Sequence, residues 1–230
     1  MMPWFIWNGK SSLTDFGLWI SKLPKYVRPA ERHDEIEIPG RAGSLTMLEG
    51  EDVYASYTDS MTVTARNGLN INKIVDWLSG SGELVLFNDI DKARPARIVD
   101  EVAFQRVGAG IQQAVVPFLF QPFKKERNPQ VITITGASGS ITNIGDVASK
   151  PIVKITGTGN NTITIGDQAV TFSDISGTII VDCDANIITS SGAFWTGSST
   201  GELWTIPKGT SAITQTGSMT IEIQPNWRWR

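Results

Sequence analysis

From Val131 to Arg230 the chain draws on a narrow set of residues, with 17 Ile, 17 Thr and 12 Gly among its last 100 positions. β-branched side chains lose rotamer freedom in a helix and pack well on a pleated surface, while glycine punctuates. Such a stretch folds as short strands joined by tight turns. The expected strands are Val131–Thr135, Ile152–Ile155, Thr162–Ile165, Thr178–Val181, Ala212–Thr214 and Met219–Ile223. Gly157-Thr158-Gly159-Asn160-Asn161, Gly166-Asp167 and Lys208-Gly209 are the expected turns between them. Strands spaced about ten residues apart with no helical period predict a β-sandwich.

The preceding residues are built differently. Of the 43 charged residues, 31 lie in the first 130 positions, and Lys124-Lys125-Glu126-Arg127-Asn128-Pro129 marks the change. The expected division is therefore a domain over residues 1–128 and a sandwich over residues 129–230. The first domain reads as strands with one α-helix. Trp4-Phe5-Ile6-Trp7 runs into Asn8-Gly9, a pair that tolerates the positive φ of a type I′ hairpin. Leu13, Phe16, Leu18 and Ile20 follow among polar residues, and residues 53–65 alternate as a half-buried strand. Ile71, Ile74, Val75 and Leu78 fall at helical spacing, with Asn70 as cap and Gly80 as stop. Glu83–Phe87 and Ala96–Val99 then read as strands around an Asn88–Lys92 turn, and Ala114–Phe120 as a last strand before Gln121-Pro122-Phe123. The whole chain is expected to be mainly β.

Composition excludes several kinds of chemistry. One cysteine, Cys183, forbids an intramolecular disulfide and a Cys-rich zinc site, and one histidine, His33, removes the His pairs of hydrolytic metal centres. Cys183 reads as a small buried hydrophobe, with Asp182 and Asp184 on the opposite, solvated face of a strand. Asp89 and Asp91 stand two apart in a turn that lacks the further ligands of a calcium loop. His33 sits in Glu31-Arg32-His33-Asp34-Glu35 and is expected to face solvent or an ion pair. No catalytic residue, metal or cofactor is expected. A formal net charge of -3 argues against a basic nucleic-acid groove. The apolar opening Met1 to Trp7 lacks the flanks and length of a signal core or membrane span, so synthesis in a reducing cytoplasm is expected. Trp195 and Trp204 are candidate glycan-stacking residues if exposed on the sandwich, and core residues otherwise.

Several pieces form an ordered series: Trp7-Asn8-Gly9, Asp15-Phe16-Gly17-Leu18, Arg28-Pro29, the Ile38-Pro39-Gly40-Arg41-Ala42-Gly43 loop, Asp76-Trp77-Leu78 and Pro122-Phe123-Lys124. In the second half come Asn143-Ile144-Gly145-Asp146, Lys150-Pro151-Ile152, Gly157-Thr158-Gly159, Val181-Asp182, Ile206-Pro207-Lys208-Gly209 and Pro225-Asn226-Trp227-Arg228. Together they resemble the distal tail protein (Dit) family of long, non-contractile-tailed phages over nearly the whole chain. That resemblance implies an N-terminal belt domain followed by a carbohydrate-module-like, galectin-like sandwich. It implies a non-enzymatic virion component, made in the host bacterial cytoplasm and placed at the distal tail or baseplate. The ring, a homo-hexamer, would join the tail tube protein to the tail-associated or baseplate hub protein, and genomic DNA would cross its lumen without specific binding. A receptor-binding protein or a cell-wall glycan would be a further partner, and no membrane is implied. The expected ring contacts are Ile38, Pro39, Gly40, Arg41 and Gly43, with Arg41 able to pair bidentately with a carboxylate. The alternative is a carbohydrate-binding protein that engages surface glycans through its sandwich.

Overall fold

The structure is a computed structural model describing residues 2–50 and 52–230; Met1, where the apolar opening segment begins, and Glu51 lie outside it. The described residues form two compact units, the first running to Arg127 and the second from Asn128 to Trp229. Both are mainly β.

The first unit opens with β1 (Phe5–Trp7), β2 (Lys10–Ser11), α1 (Ser12–Phe16) and β3 (Trp19–Lys22). It continues with β4 (His33–Glu37), β5 (Ser44–Leu48), β6 (Tyr57–Arg66), α2 (Ile71–Trp77), β7 (Ser81–Leu86) and β8 (Lys92–Ile98). β9 (Gln105–Gly108), β10 (Ile111–Phe120) and β11 (Lys124–Glu126) complete it. The main sheet runs β2-β1-β7-β8-β10-β6-β3, with β9 added to β10 and β11 to β8. Asn8 and Gly9 take φ of 49° and 79°, the positive pair a two-residue hairpin between β1 and β2 requires. The Asn8 side chain then accepts from the Glu83 amide at 3.2 Å, tying that turn to β7.

Helix α2 covers the sheet. Asn70 caps it, its side chain accepting from Lys73 N at 3.2 Å. The Trp77 ring stacks at 4.1 Å on Phe16 and 5.5 Å on Phe5, and its Nε1 donates to the Trp7 carbonyl at 3.1 Å. Trp7, Phe118 and Phe120 extend this aromatic core across β1 and β10. The expectation of a single helix misses α1, one turn long. It is held by Ser11, which accepts from Thr14 N, and by Asp15, which accepts from Ser11 N, and it ends at Gly17. The strand expected over residues 53–65 also begins later, at Tyr57. Its partner β10 ends opposite Tyr57 at Phe120, and the residues before it leave that ladder, Tyr54 bridging Glu31 instead.

The second unit contains β12 (Ile132–Ile134), β13 (Ser138–Asn143), β14 (Ile152–Ile165), β15 (Gln168–Asp182), β16 (Ile187–Ser190) and β17 (Ala193–Phe194). It ends with β18 (Ser198–Thr200), β19 (Gly209–Gln215), β20 (Thr220–Gln224) and β21 (Arg228–Trp229). Here the sequence reading needs correction. Gly157-Thr158-Gly159 is no hairpin turn: Ile152–Ile155 and Thr162–Ile165 belong to one 14-residue strand. Its partner β15 absorbs Thr178–Val181 in the same way. The hairpin between them is Gly166-Asp167, where Ile165 pairs with Gln168.

The glycines bend that long ribbon. Gly159 sits at φ 97° beside a register shift between Gly159 and Asn161. A β-carbon on Gly157 would lie 2.6 Å from Met219 Cγ. Before the bend β14 pairs with β20, and after it with β19. The ribbon thereby divides the strands into a β12-β20-β14-β15-β16-β17 layer and a β13-β19-β14-β15-β18 layer. Ile155, Ile179 and Ile221 from one and Ile163, Phe172 and Ile213 from the other join a single buried cluster. This is sandwich packing obtained by folding one hairpin over itself.

Two buried groups yield predictions. Asn143 donates to the carbonyls of Val147 and Ile206, both at 3.0 Å, and accepts from Gly145 N at 2.8 Å. Asn143→Ala strands all three backbone groups and should destabilise the unit by about 3 kcal/mol, read as a lowered urea midpoint. Burial pushes the Cys183 thiol from 9.0 to about 12, so the folded chain keeps a proton that the unfolded chain releases. Stability should fall as pH rises between those two values, more steeply in the parent than in Cys183→Ala. Equal slopes would refute this assignment.

Candidate functional site

Strands β4 and β5 pair only with each other among the described residues, forming an arm set apart from both sheets. Their register places Ile36 opposite Leu45, Asp34 opposite Met47 and Glu35 opposite Thr46. Since side chains alternate, Asp34, Ile36, Leu45 and Met47 share one face, and His33, Glu35, Glu37, Ser44, Thr46 and Leu48 share the other. The first face is apolar apart from one carboxylate. Nothing among the described residues covers it: residues 31–50 are exposed throughout, with Ile36 at 42%, Leu45 at 40% and Met47 at 52%. On the second face Ser44 and Thr46 donate to the Glu35 carboxylate, holding its pKa below the ordinary range.

The tip of this arm is the loop that contains the expected contact residues. Ile38, Pro39, Gly40, Arg41 and Gly43 lie together between Glu37 and Ser44, the last pair of the ribbon. Gly40 and Gly43 both take φ of 81°, and the Arg41 amide donates to the Ile38 carbonyl at 3.1 Å, which closes the turn. Arg41 is exposed. At the root, Arg32 pairs with Glu49 at 2.8 Å and the Arg32 amide donates to Val53 O. Sequence reasoning found the loop and missed the strands beneath it. Their signal was present in the alternation of Asp34, Ile36 and Ile38, but the charges between them read as a solvated run.

The aromatic candidates part company. Trp204 is fully buried, packed 5.9 Å from Phe172, with Nε1 donating to Gln168 O at 3.1 Å. It has no face for a sugar. Trp195 packs partly buried against the same core, and Gly197 lies so close that a β-carbon there would fall 2.0 Å from its ring. The Phe194 ring is 77% accessible, and Trp195 lies with it along a concavity bordered by Asp174, Ser176 and Ser190. Phe194 escaped the sequence reading because Phe is an ordinary core residue.

The other polar candidates have partners within the chain. His33 Nδ1 lies 3.1 Å from the Glu31 carbonyl and Nε2 3.8 Å from Glu35. Asp89 is held by Lys124 at 2.6 Å and Lys92 at 3.7 Å. Asp182 accepts from the amides of Asp184 and Ala185, and Asp184 pairs with Arg228 at 2.9 Å. Among the described residues no three His, Cys, Asp or Glu side chains converge as a metal site, and no helix is long and apolar enough to cross a membrane.

No family model matches the sequence, and no curated protein matches it. Among solved structures, the chain is similar to the SPP1 Dit (gp 19.1) protein, described as a paradigm of the hub adsorption apparatus in phages that infect Gram-positive bacteria. That similarity has a TM-score of 0.75 at 12% identity and covers 100% of both chains. The chain thus has the fold of a phage distal tail protein along its whole length.

Proposed function

We propose that this chain is a structural component of a phage tail tip, a hub that assembles as a ring. The observation that carries this reading is the two-way coverage of the Dit fold, which leaves neither protein with an unmatched domain. The arm supports it from physical grounds. A lone two-stranded ribbon is marginal in water, and one with an uncovered apolar face needs a second surface. In this reading the first unit is the belt of a hexamer, and Ile38, Pro39, Gly40, Arg41 and Gly43 touch the neighbouring copy. The ring joins the tail tube to the tail-associated or baseplate hub protein at the distal end of the virion. DNA crosses a lumen whose mildly acidic subunits release few phosphate counterions, in keeping with a net charge of -3 per copy. The role is mechanical and needs no catalytic group.

The second unit would be the platform for a receptor-binding protein. A glycan reading of that unit, with Trp204 in the core, rests on Phe194, the half-buried Trp195 and the polar groups beside them.

Electron microscopy of the purified chain should show rings with a central hole. Deleting residues 130–230 should leave them intact, and deleting residues 1–128 should abolish them; rings formed only by the second unit would overturn the assignment. For the glycan reading, cell-wall sugars titrated against the protein should shift Phe194-dependent binding, lost in Phe194→Ala. No binding by the parent protein would remove that alternative.

A further inference from the structure

Within the first unit, a cleft of about 120 Å³ lies between residues 23–26 and strands β7 and β8. Lys25, Lys92, Arg94 and Lys124 line it, from three separate stretches of chain, against the single carboxylate of Asp89. Lys124 and Lys92 both approach that carboxylate, at 2.6 Å and 3.7 Å. Two nearby acids do not line the cleft: Asp59 accepts from the Lys25 and Ser60 amides, and Glu126 stands opposite Lys92 on β11.

Arg94 is half-buried, and no carboxylate pairs with it among the described residues. Its Nη1 donates to the Tyr57 hydroxyl at 2.7 Å, and its guanidinium lies 5.2 Å from the Phe120 ring centre. Burial raises the Tyr57 phenol above its ordinary pKa, so that hydroxyl is neutral and supplies no counter-charge. A guanidinium cannot shed its proton, so its charge has to be answered by water or by an anion from outside the chain. The Lys124 side chain, only 15% exposed, adds a second partly desolvated cation, 5.5 Å from the Tyr26 ring centre.

We propose that this cleft binds the phosphate group of a small organic phosphate monoester. Charge selects the class first, because cations in excess of Asp89 match a group carrying about two negative charges at neutral pH better than they match a carboxylate. Donor geometry selects it again. A guanidinium fork on β8, joined by ammonium groups from other segments, suits an anion with several acceptor oxygens. Size sets the limit: a cavity of about 150 Å³ takes a benzene-sized molecule, so this cleft holds a phosphate and little else. The rest of the ester leaves past Leu23 and Tyr26, which line the cleft and are 38% and 82% exposed. These give an apolar stem a contact that bare phosphate cannot use. The site is complete within one copy, so its test does not turn on ring formation.

Isothermal titration of the full-length chain at low ionic strength tests the assignment, with propyl phosphate, inorganic phosphate and butyrate as probes. Propyl phosphate should saturate at one per chain, inorganic phosphate should bind more weakly, and butyrate at least about tenfold more weakly. Arg94→Gln should weaken propyl phosphate at least about tenfold and Lys25→Gln about threefold. Lys208→Gln, an exposed change on the second unit, should leave it unaltered. Lys25 is exposed and its replacement spares the Arg94 contacts, so that variant decides the matter if Arg94→Gln fails to fold. Inorganic phosphate binding as tightly as the ester would overturn the ester and leave free phosphate as the ligand, and butyrate binding equally would overturn phosphate altogether. Unchanged affinity in the folded cleft variants would mean an adventitious ion only, and no saturable binding by the parent up to about 10 mM would remove the site.

Discussion

Because successive side chains of a strand point to opposite sides of its ribbon, each apolar row in a β protein has to be covered by a second layer. The two units meet this demand in different ways. In the second, the long β14–β15 hairpin bends over itself, so the ribbon covers its own inner row and draws β13, β19, β12 and β20 onto the two layers. In the first, α2 is laid across the sheet and Trp77 fills the gap between Phe5 and Phe16. The β4–β5 arm has neither device. It is long enough to alternate and too narrow to cover itself, and its apolar face stays open in the single chain. That asymmetry is the physical basis for treating the arm as the part of the molecule that completes itself on another surface.

The sequence disclosed those elements whose information is local. Asn8-Gly9 specifies a turn by its own φ preferences, and Asn70 caps a helix whose apolar positions repeat at three and four residues. The loop from Ile38 to Gly43 carries two glycines at positive φ and is legible for the same reason. What escaped depended on distant partners. Gly157 and Gly159 are as good a turn signal as Gly166, and only the pairing of β14 with β20 and β19 decides that the chain runs straight through them with a bend. Trp204 and Phe194 are both aromatic residues in a Thr- and Gly-rich neighbourhood. One is sealed under Gln168 and Phe172 and the other stands in solvent, and no local pattern separates them. The arm itself was hidden because carboxylates between isoleucines look like a solvated run until the register shows which of them share a face.

The distribution of charge follows the same division. Most of the charged residues belong to the first unit. An apolar patch alone would bind any other apolar patch, whereas a carboxylate set in it, as Asp34 is in the arm's face, disfavours partners that would leave that charge desolvated and unpaired. The second unit has few charges and relies on hydroxyl ladders, such as Thr162 with Thr171 and Thr156 with Thr178, to finish its outer faces.

A TM-score of 0.75 at 12% identity, with no family model matching, also has a physical reading. A sandwich core accepts almost any β-branched or aromatic residue at an inward position, provided the alternation and total volume are kept. Ile155, Ile163, Ile179 and Ile221 could each exchange with valine or leucine at modest cost, so residue identity drifts while the register does not. Backbone geometry leaves less choice at Gly145, where a β-carbon would meet the Arg228 carbonyl at 2.5 Å, and at Asn143, whose side chain satisfies three backbone groups. A chain of this kind keeps its fold through scattered turn and loop residues, and a profile built on contiguous conserved blocks has little to grip. Recognition from sequence therefore has to come from the order of such fragments along the chain, as it does here from the Asn8-Gly9 turn to the Ile206-Pro207-Lys208-Gly209 loop.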